Sequence, residues 1–301
     1  MEARIDASWA FDAYEAVRGR LPSARPGSPS VRVRTLADLT GQFDVFLLDA
    51  FGVLNVGDTA ISGAAERIDA LRAAGKRVMV VTNAASYPKR LLMERYARLG
   101  FSFAETDVIS SREVLLGALR TEPRRRWGVM APAVYGDEEL EDLDFEFLAE
   151  DAEAYERAEG FVLLGSGDWT EARQSLLEAT LARAPRPVMV GNPDIVAPRE
   201  FGLSREPGYF AHRLARIEGV APVFFGKPFG RVFHTALARA PEAAPARVAM
   251  VGDTLHTDIL GASALGLGSV LITGHGALKG EDIDAACARA GITPSFIAPD
   301  P

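Results

Sequence analysis

Val251-Gly252-Asp253-Thr254-Leu255-His256-Thr257-Asp258 joins a short apolar run, Val248 to Val251, to a helical pattern from Ile259 to Leu265. The run reads as a buried strand and places Asp253 at its carboxyl end. In open parallel sheets, ligands bind beyond the carboxyl ends of the strands. Asp258 falls just inside the following helix, where it can orient a metal-bound water or cap backbone amides. Carboxylates are hard oxygen ligands suited to Mg²⁺.

Working outward, three more strand ends carry polar groups. Asp44 to Leu48 is a strand candidate that runs into Asp49, and Gly52 follows where the backbone can turn sharply towards a ligand. Asp49 taken alone fits a turn cap equally well. Lys76 to Val81 ends in Thr82-Asn83, whose hydroxyl and amides suit a phosphate oxygen, although Thr-Asn also starts ordinary turns. Val223 to Phe225 leads into Gly226-Lys227-Pro228, and a lysine there is by itself more often solvated. Together these residues make one constellation. A metal would bridge phosphate to the carboxylates, Lys227 would offset their charge, and Asp49 would attack phosphorus in line.

The surrounding pattern predicts an α/β fold. Helices are expected at about Ala64 to Ala74, Lys89 to Leu99 and Glu113 to Arg120, with a strand at Val108 to Ser110. Strands alternating with helices imply a parallel sheet with right-handed crossovers. A polar break at Glu122 to Arg126 and two acidic clusters, Asp137 to Asp144 and Glu146 to Glu159, interrupt this order. Strand Phe161 to Leu164, helix Glu171 to Ala184 and strand Pro187 to Val190 then read as an inserted domain. The parallel pattern resumes with strand Val223 to Phe225, helix Val232 to Arg239, strand Val248 to Val251 and strand Ser269 to Ile272. The division expected is 1–30 for an amino-terminal helix and linker, 31–117 with 221–301 for the core, and 118–220 for a cap.

Composition narrows the function. A net charge of -8 opposes phosphate-backbone binding, so nucleic acid is not an expected partner. Cys287 is the only cysteine, so no intrachain disulfide forms, which fits a reducing, cytoplasmic setting. No stretch is long and apolar enough to span a membrane. Met1 to Arg20 is acidic without an apolar run, unlike a secretory signal. Ile5, Trp9, Ala13 and Val17 recur at helical spacing there. That helix is expected to pack on the body of the chain or on a second subunit of a homodimer.

Asp49-Ala50-Phe51-Gly52-Val53-Leu54, Thr82-Asn83, Gly226-Lys227-Pro228 and Gly252-Asp253-Thr254 with Asp258 resemble, in this order, the four motifs of the haloacid dehalogenase superfamily. The large insert between the second and third motifs is similar to the C2 cap of the class IIA phosphatases. Ile61-Ser62-Gly63-Ala64 and the cap segment Val190-Gly191-Asn192-Pro193-Asp194 match that group too. The resemblance covers roughly Val31 to Pro299. It implies a Rossmann-like core and a Mg²⁺-dependent hydrolase acting on a small phosphorylated metabolite. By this resemblance Asp49 is the nucleophile that forms an aspartyl-phosphate. Asp49, Asp253 and the carbonyl of Phe51 bind Mg²⁺, with Asp258 supporting the metal shell. Thr82, Asn83 and Lys227 hold the phosphoryl oxygens, together with the amides of Phe51 and Gly52.

One position departs from the pattern. The family's phosphatases carry an aspartate two residues after the nucleophile as general acid and base, and here that residue is Phe51. Its ring transfers no proton, although its backbone carbonyl remains. A weak or inactive pseudo-enzyme that binds Mg²⁺ and an anion is therefore the alternative. A dehalogenase fits less well, because its cap follows the first motif. A Schiff-base route is opposed because no lysine lies between Lys89 and Lys227. His256 and Asp58 are the first candidates to replace the missing acid.

Overall fold

The computed structural model describes residues 5–199 and 202–301. The segment Met1–Arg4 of the expected amino-terminal helix lies outside them. Helix α1 (Ala7–Glu15) is started by Asp6, whose carboxylate accepts from the Trp9 amide at 2.9 Å. This cap satisfies one of the free amides of the first turn. After β1 (Val31–Arg32), strand β2 (Val45–Leu48) is buried at every position, as a strand covered on both faces requires. A small hairpin of β3 (Asn55–Val56) and β4 (Thr59–Ala60) follows the Asp49 turn. Helix α2 (Ala64–Ala73), β5 (Arg77–Thr82), α3 (Lys89–Arg98) and β6 (Val108–Ser110) complete the first half of the core. Helix α4 (Ser111–Leu119) starts two residues before its expected start at Glu113, because the Ser110 hydroxyl caps the Glu113 amide at 3.2 Å.

The insert has its own sheet. Its elements are β7 (Arg126–Met130), β8 (Asp144–Phe147), α5 (Ala152–Arg157), β9 (Gly160–Leu163), α6 (Glu171–Arg183) and β10 (Val188–Val190). An antiparallel hairpin of β11 (Val196–Arg199) and β12 (Gly202–Arg205) leads into α7 (Pro207–Leu214) and β13 (Val223–Phe224). The chain then runs through α8 (Gly230–Ala238), β14 (Val248–Gly252), α9 (Leu260–Leu265), β15 (Gly268–Ile272), α10 (Ile283–Ala290) and β16 (Phe296–Ala298).

Two parallel sheets result. The larger has the order β1-β16-β15-β14-β2-β5-β6, and the smaller has β13-β10-β9-β7-β8. The strand expected to resume the core, Val223 to Phe225, instead pairs with β10 through Met189↔Val223 and Val190↔Phe224. The insert's sheet therefore reaches past the expected boundary at 221, because its last edge strand is supplied by the returning chain. Central placement of β2 between β14 and β5 sets Asp49, Asp253 and Thr82 at three adjacent strand ends.

Apolar clusters line both faces of each sheet. Leu115, Leu116 and Leu119 of α4 pack with Val129, Val162 and Met189, which seats the small sheet on a core helix. Helix α1 packs on its own chain. Phe11 joins Leu255, Ile259 and Leu260 of the core, while Ala10, Tyr14 and Val17 join Ile195 and Val196 of the insert.

Candidate active site

Asp49 extends the β2–β14 ladder by one bond, its amide donating to Val251 O at 2.8 Å. This places its carboxylate beside the turn that carries Asp253. Carboxylate oxygens of Asp49, Asp253 and Asp258 all lie within 4.8 Å of one another. Glycines make the close approach possible. Gly52 has φ of +77°, and a Cβ there would sit 2.4 Å from Asp253 Cγ. At Gly252 an added Cβ would fall 2.1 Å from Asp258 Cγ.

Asp258 is carried by a π-helical turn, Leu255–Ile259, that runs into α9. Such turns re-aim side chains at functional sites. Its Oδ2 accepts from the Thr254 amide at 3.2 Å, and its Oδ1 lies 2.8 Å from Lys227 Nζ. The same ammonium stands 2.6 Å from Asp49 Oδ1, with the lysine side chain 1% exposed. Asp253 is oriented by Thr254 Oγ1 at 3.0 Å and by the Ala277 amide at 2.9 Å.

One cation thus lies among three acids and contacts two of them, Asp49 and Asp258. Burial pushes the Asp49 carboxyl up to about 7, with Lys227 opposing the rise and Asp258 adding to it. Burial, with Asp258 and Asp49 adding, pushes Asp253 up to about 8. For Lys227, burial disfavours the charge, but Asp258, Asp49 and Asp194 outweigh it and hold the ammonium above the ordinary lysine range. The negative charge left over by one lysine, on hard oxygen donors, fits a divalent cation.

The cluster opens into a cavity of about 820 Å³. Asp49, Phe51, Thr82 and Asp253 line it from the core, and Trp169, Arg199 and Phe210 line it from the insert. Buried Thr82 turns its hydroxyl to the Ala84 amide at 3.1 Å. The ring of Phe51 lies against two cations, with the guanidinium carbons of Arg95 and Arg199 at 5.1 and 5.4 Å from its centroid. Arg95 also binds Asp58 Oδ1 at 3.0 Å, and Arg199 binds Glu206 at 2.7 Å.

Asp49, Lys227, Thr82, Asp253 and Asp258 therefore converge as the sequence suggests, and two other expected residues are engaged differently. Gly52 donates its amide to Asn55 O at 2.8 Å, because the chain folds back there into the hairpin, so this amide is not free for a phosphoryl group. Asn83 places its oxygen on the Lys227 amide at 2.7 Å. Its nitrogen donates to Lys227 O at 2.9 Å and to Asp194 Oδ1 at 2.8 Å. Neither candidate for the missing acid lines the cavity. His256 is stacked on Tyr14 at 5.0 Å and binds Glu15 at 2.6 Å, and Asp58 is turned to Arg95. The sequence reading does not single out Arg95, Arg199 or Asp194 as site residues. An arginine buried in a helix or on a hairpin looks in sequence like any surface arginine.

Residues 46–146 match the haloacid dehalogenase-like hydrolase family, and residues 224–300 match the HAD-hydrolase-like family. Glycerol-3-phosphate phosphatase of Gallus gallus is 33% identical over 279 residues, which cover 84% of this chain and 88% of that protein. A possible sugar phosphatase of the HAD superfamily from Cytophaga hutchinsonii superposes with a TM-score of 0.78 at 25% identity, covering 90% of this chain and 98% of that one. The glycerol phosphate phosphatase of Mycobacterium tuberculosis, solved in complex with magnesium, shares the fold at a TM-score of 0.68 and 24% identity, covering 87% of this chain and 77% of that one. The chain belongs to the haloacid dehalogenase-like hydrolases, and it is an enzyme of that class.

Proposed function

We propose that this hydrolase is a Mg²⁺-dependent phosphatase of a small phosphorylated metabolite, working through an aspartyl-phosphate at Asp49. The observation that carries the reading is the trio Asp49, Asp253 and Asp258 around buried Lys227, with Asp49 and Asp253 lining the cavity. The phosphatase activity of the Gallus gallus relative supports the phosphomonoester class, and the magnesium complex of the Mycobacterium tuberculosis enzyme supports the metal. The core at 31–117 and from about 226 onward supplies the chemistry, and the insert supplies the substrate-facing wall.

Asp49, Asp253 and the Phe51 carbonyl would hold Mg²⁺, with Asp258 steadying the set. When bound, the ion would supply positive charge that offsets the carboxylates and the phosphoryl group. The Asp49 carboxylate attacks phosphorus, and the bond to the leaving oxygen breaks with its electron pair. Lys227 and Thr82 hold the transferred group. Water then hydrolyses the aspartyl-phosphate and restores Asp49. Phe51 donates no proton, so substrates whose leaving group departs as an anion are favoured. General acid help is worth ~10²- to 10⁴-fold, which sets the handicap on alkyl esters.

The test is a panel of phosphorylated metabolites with Mg²⁺ or chelator, with the Asp49→Asn protein as control. Hydrolysis that needs Mg²⁺ and Asp49 is expected. Mg²⁺ binding with no turnover of any member would return the pseudo-enzyme reading.

A further inference from the structure

We propose that the amino-terminal helix belongs to the catalytic apparatus, with Tyr14 and Asp194 acting as positioning residues that hold Lys227 against Asp49. The inference rests on the phosphatase reading for its kinetic consequences, and its structural part stands apart from it.

A continuous set of bonds carries the inference. Asn83 grips both backbone atoms of Lys227, so its side-chain amide has one orientation only: oxygen to the Lys227 N–H and nitrogen to the Lys227 carbonyl. The same nitrogen donates to Asp194 Oδ1 at 2.8 Å. Asp194 sits in a tight turn, its amide donating to Asn192 Oδ1 at 2.9 Å. The next amide, Ile195 N–H, donates to the hydroxyl of Tyr14 at 3.1 Å. Gly226 lets these pieces meet, since a Cβ there would lie 2.3 Å from Asn83 Oδ1 and 2.6 Å from Pro193 Cδ. The path thus runs from α1, through the insert's turn, to the lysine backbone.

Helix α1 is fixed at both ends of this path. Its Tyr14 ring stacks on His256 with an interplanar angle of 6°, and Glu15 binds that histidine at 2.6 Å. Phe11 packs on Leu255 and Ile259 of the core, while Tyr14 and Val17 pack on Ile195 and Val196 of the insert. Ile5, just before the helix, lines the cavity itself. A helix that touches the Asp258-bearing turn on one side and the lysine brace on the other sets how Lys227 sits against Asp258 and, through the same ammonium, Asp49.

Tyr14→Phe tests this, because it keeps the ring and removes only the hydroxyl. Asp194→Ala removes the carboxylate, and Asp194→Asn keeps an acceptor for Asn83. With p-nitrophenyl phosphate and Mg²⁺, kcat should fall by about 2- to 10-fold in Tyr14→Phe, the range for one net hydrogen bond. Asp194→Ala should fall at least as far, and Asp194→Asn should recover most of the loss. Competitive inhibition by inorganic phosphate should weaken in parallel. Tyr14→Phe added to Asn83→Ala should cause no further loss, since its effect passes through Asn83. Wild-type kcat and phosphate affinity in Tyr14→Phe, or a loss that adds fully to that of Asn83→Ala, would overturn the proposal. Crystal structures give a readout that needs no turnover. The Lys227–Asp49 separation should lengthen from 2.6 Å in Asp194→Ala. An unchanged separation there sinks the positioning role, whereas an inactive wild-type enzyme sinks only the phosphatase reading.

Discussion

Lys227 Nζ stands 2.6 Å from Asp49 Oδ1 and 2.8 Å from Asp258 Oδ1, so one buried ammonium bridges an acid at the end of β2 and an acid in the turn after β14. Removing one partner of a buried ion pair leaves the others uncompensated, at a cost of about 3–5 kcal/mol. Lys227→Met should therefore lower stability by about that amount in chelator at neutral pH. Added Mg²⁺ should recover part of the loss. Urea denaturation with and without Mg²⁺ measures both, and an unchanged midpoint in chelator would show that the bridge contributes nothing.

Asp253 faces the same cluster but lacks the lysine contact. Asp253→Ala should weaken Mg²⁺ binding at least tenfold by calorimetry. Asp49→Asn should abolish turnover while its circular dichroism spectrum stays that of the unmodified protein. Equal Mg²⁺ affinity in Asp253→Ala would remove that carboxylate from the metal set.

Phe51 predicts a steep dependence on leaving group. Rates across a series of aryl phosphates should fall sharply as leaving-group pKa rises. Phe51→Asp should raise alkyl phosphatase activity by ~10-fold, at the low end for general acid catalysis. Arg95 and Arg199 beside the ring explain the modest figure, since nearby cations hold a carboxyl in its ionised, non-donating form. Phe51→Asp with Arg199→Gln should therefore gain more than Phe51→Asp alone. Equal wild-type rates on alkyl and aryl esters would mean that another group donates the proton.

His212 predicts a pH effect on the insert. Its ring stacks on Phe224 at 4.9 Å, and neither ring nitrogen has a hydrogen-bond partner among the described residues. Burial, with Arg20 and Arg216 adding, lowers its pKa to about 4. A depressed histidine binds its proton later in the folded state than in the unfolded chain, where it titrates near 6.5. Its contribution is full above that value and is lost as pH falls towards 4. Between pH 7 and 4, the denaturation midpoint of the wild type should fall relative to that of His212→Leu. Parallel pH profiles would dismiss the effect.

Legibility followed how local each signal was. Val45–Leu48, Arg77–Thr82 and Val248–Gly252 are apolar runs that end in polar residues, so the three strand ends and their groups could be read directly. The insert was read only in part. Strand β7 opens inside the run Arg124-Arg125-Arg126, and β8 is the segment Asp-Phe-Glu-Phe within an acidic cluster at a sheet edge, so charge hid both. Val223–Phe224 was visible as a strand, but a short apolar run does not state its sheet, because pairing depends on distant partners. The hairpin β11–β12, with helices α7 and α10 and strand β16, went unread. Its Arg199 contact with Phe51 depends on a fold-back that no local pattern announces.

The seat of α1 has a consequence for synthesis. The helix leaves the ribosome long before Leu255, His256 and Ile259, on which it rests. Asp12 waits longer still for its exposed partner Arg289, 2.5 Å away. Domains form in order as a nascent chain lengthens, and contacts of long sequence separation form slowly. The small sheet can assemble from contiguous chain, whereas its final register against the core depends on a clasp between segments far apart in sequence. A growing chain can therefore seat α1 only after the segment through Ile259 has emerged.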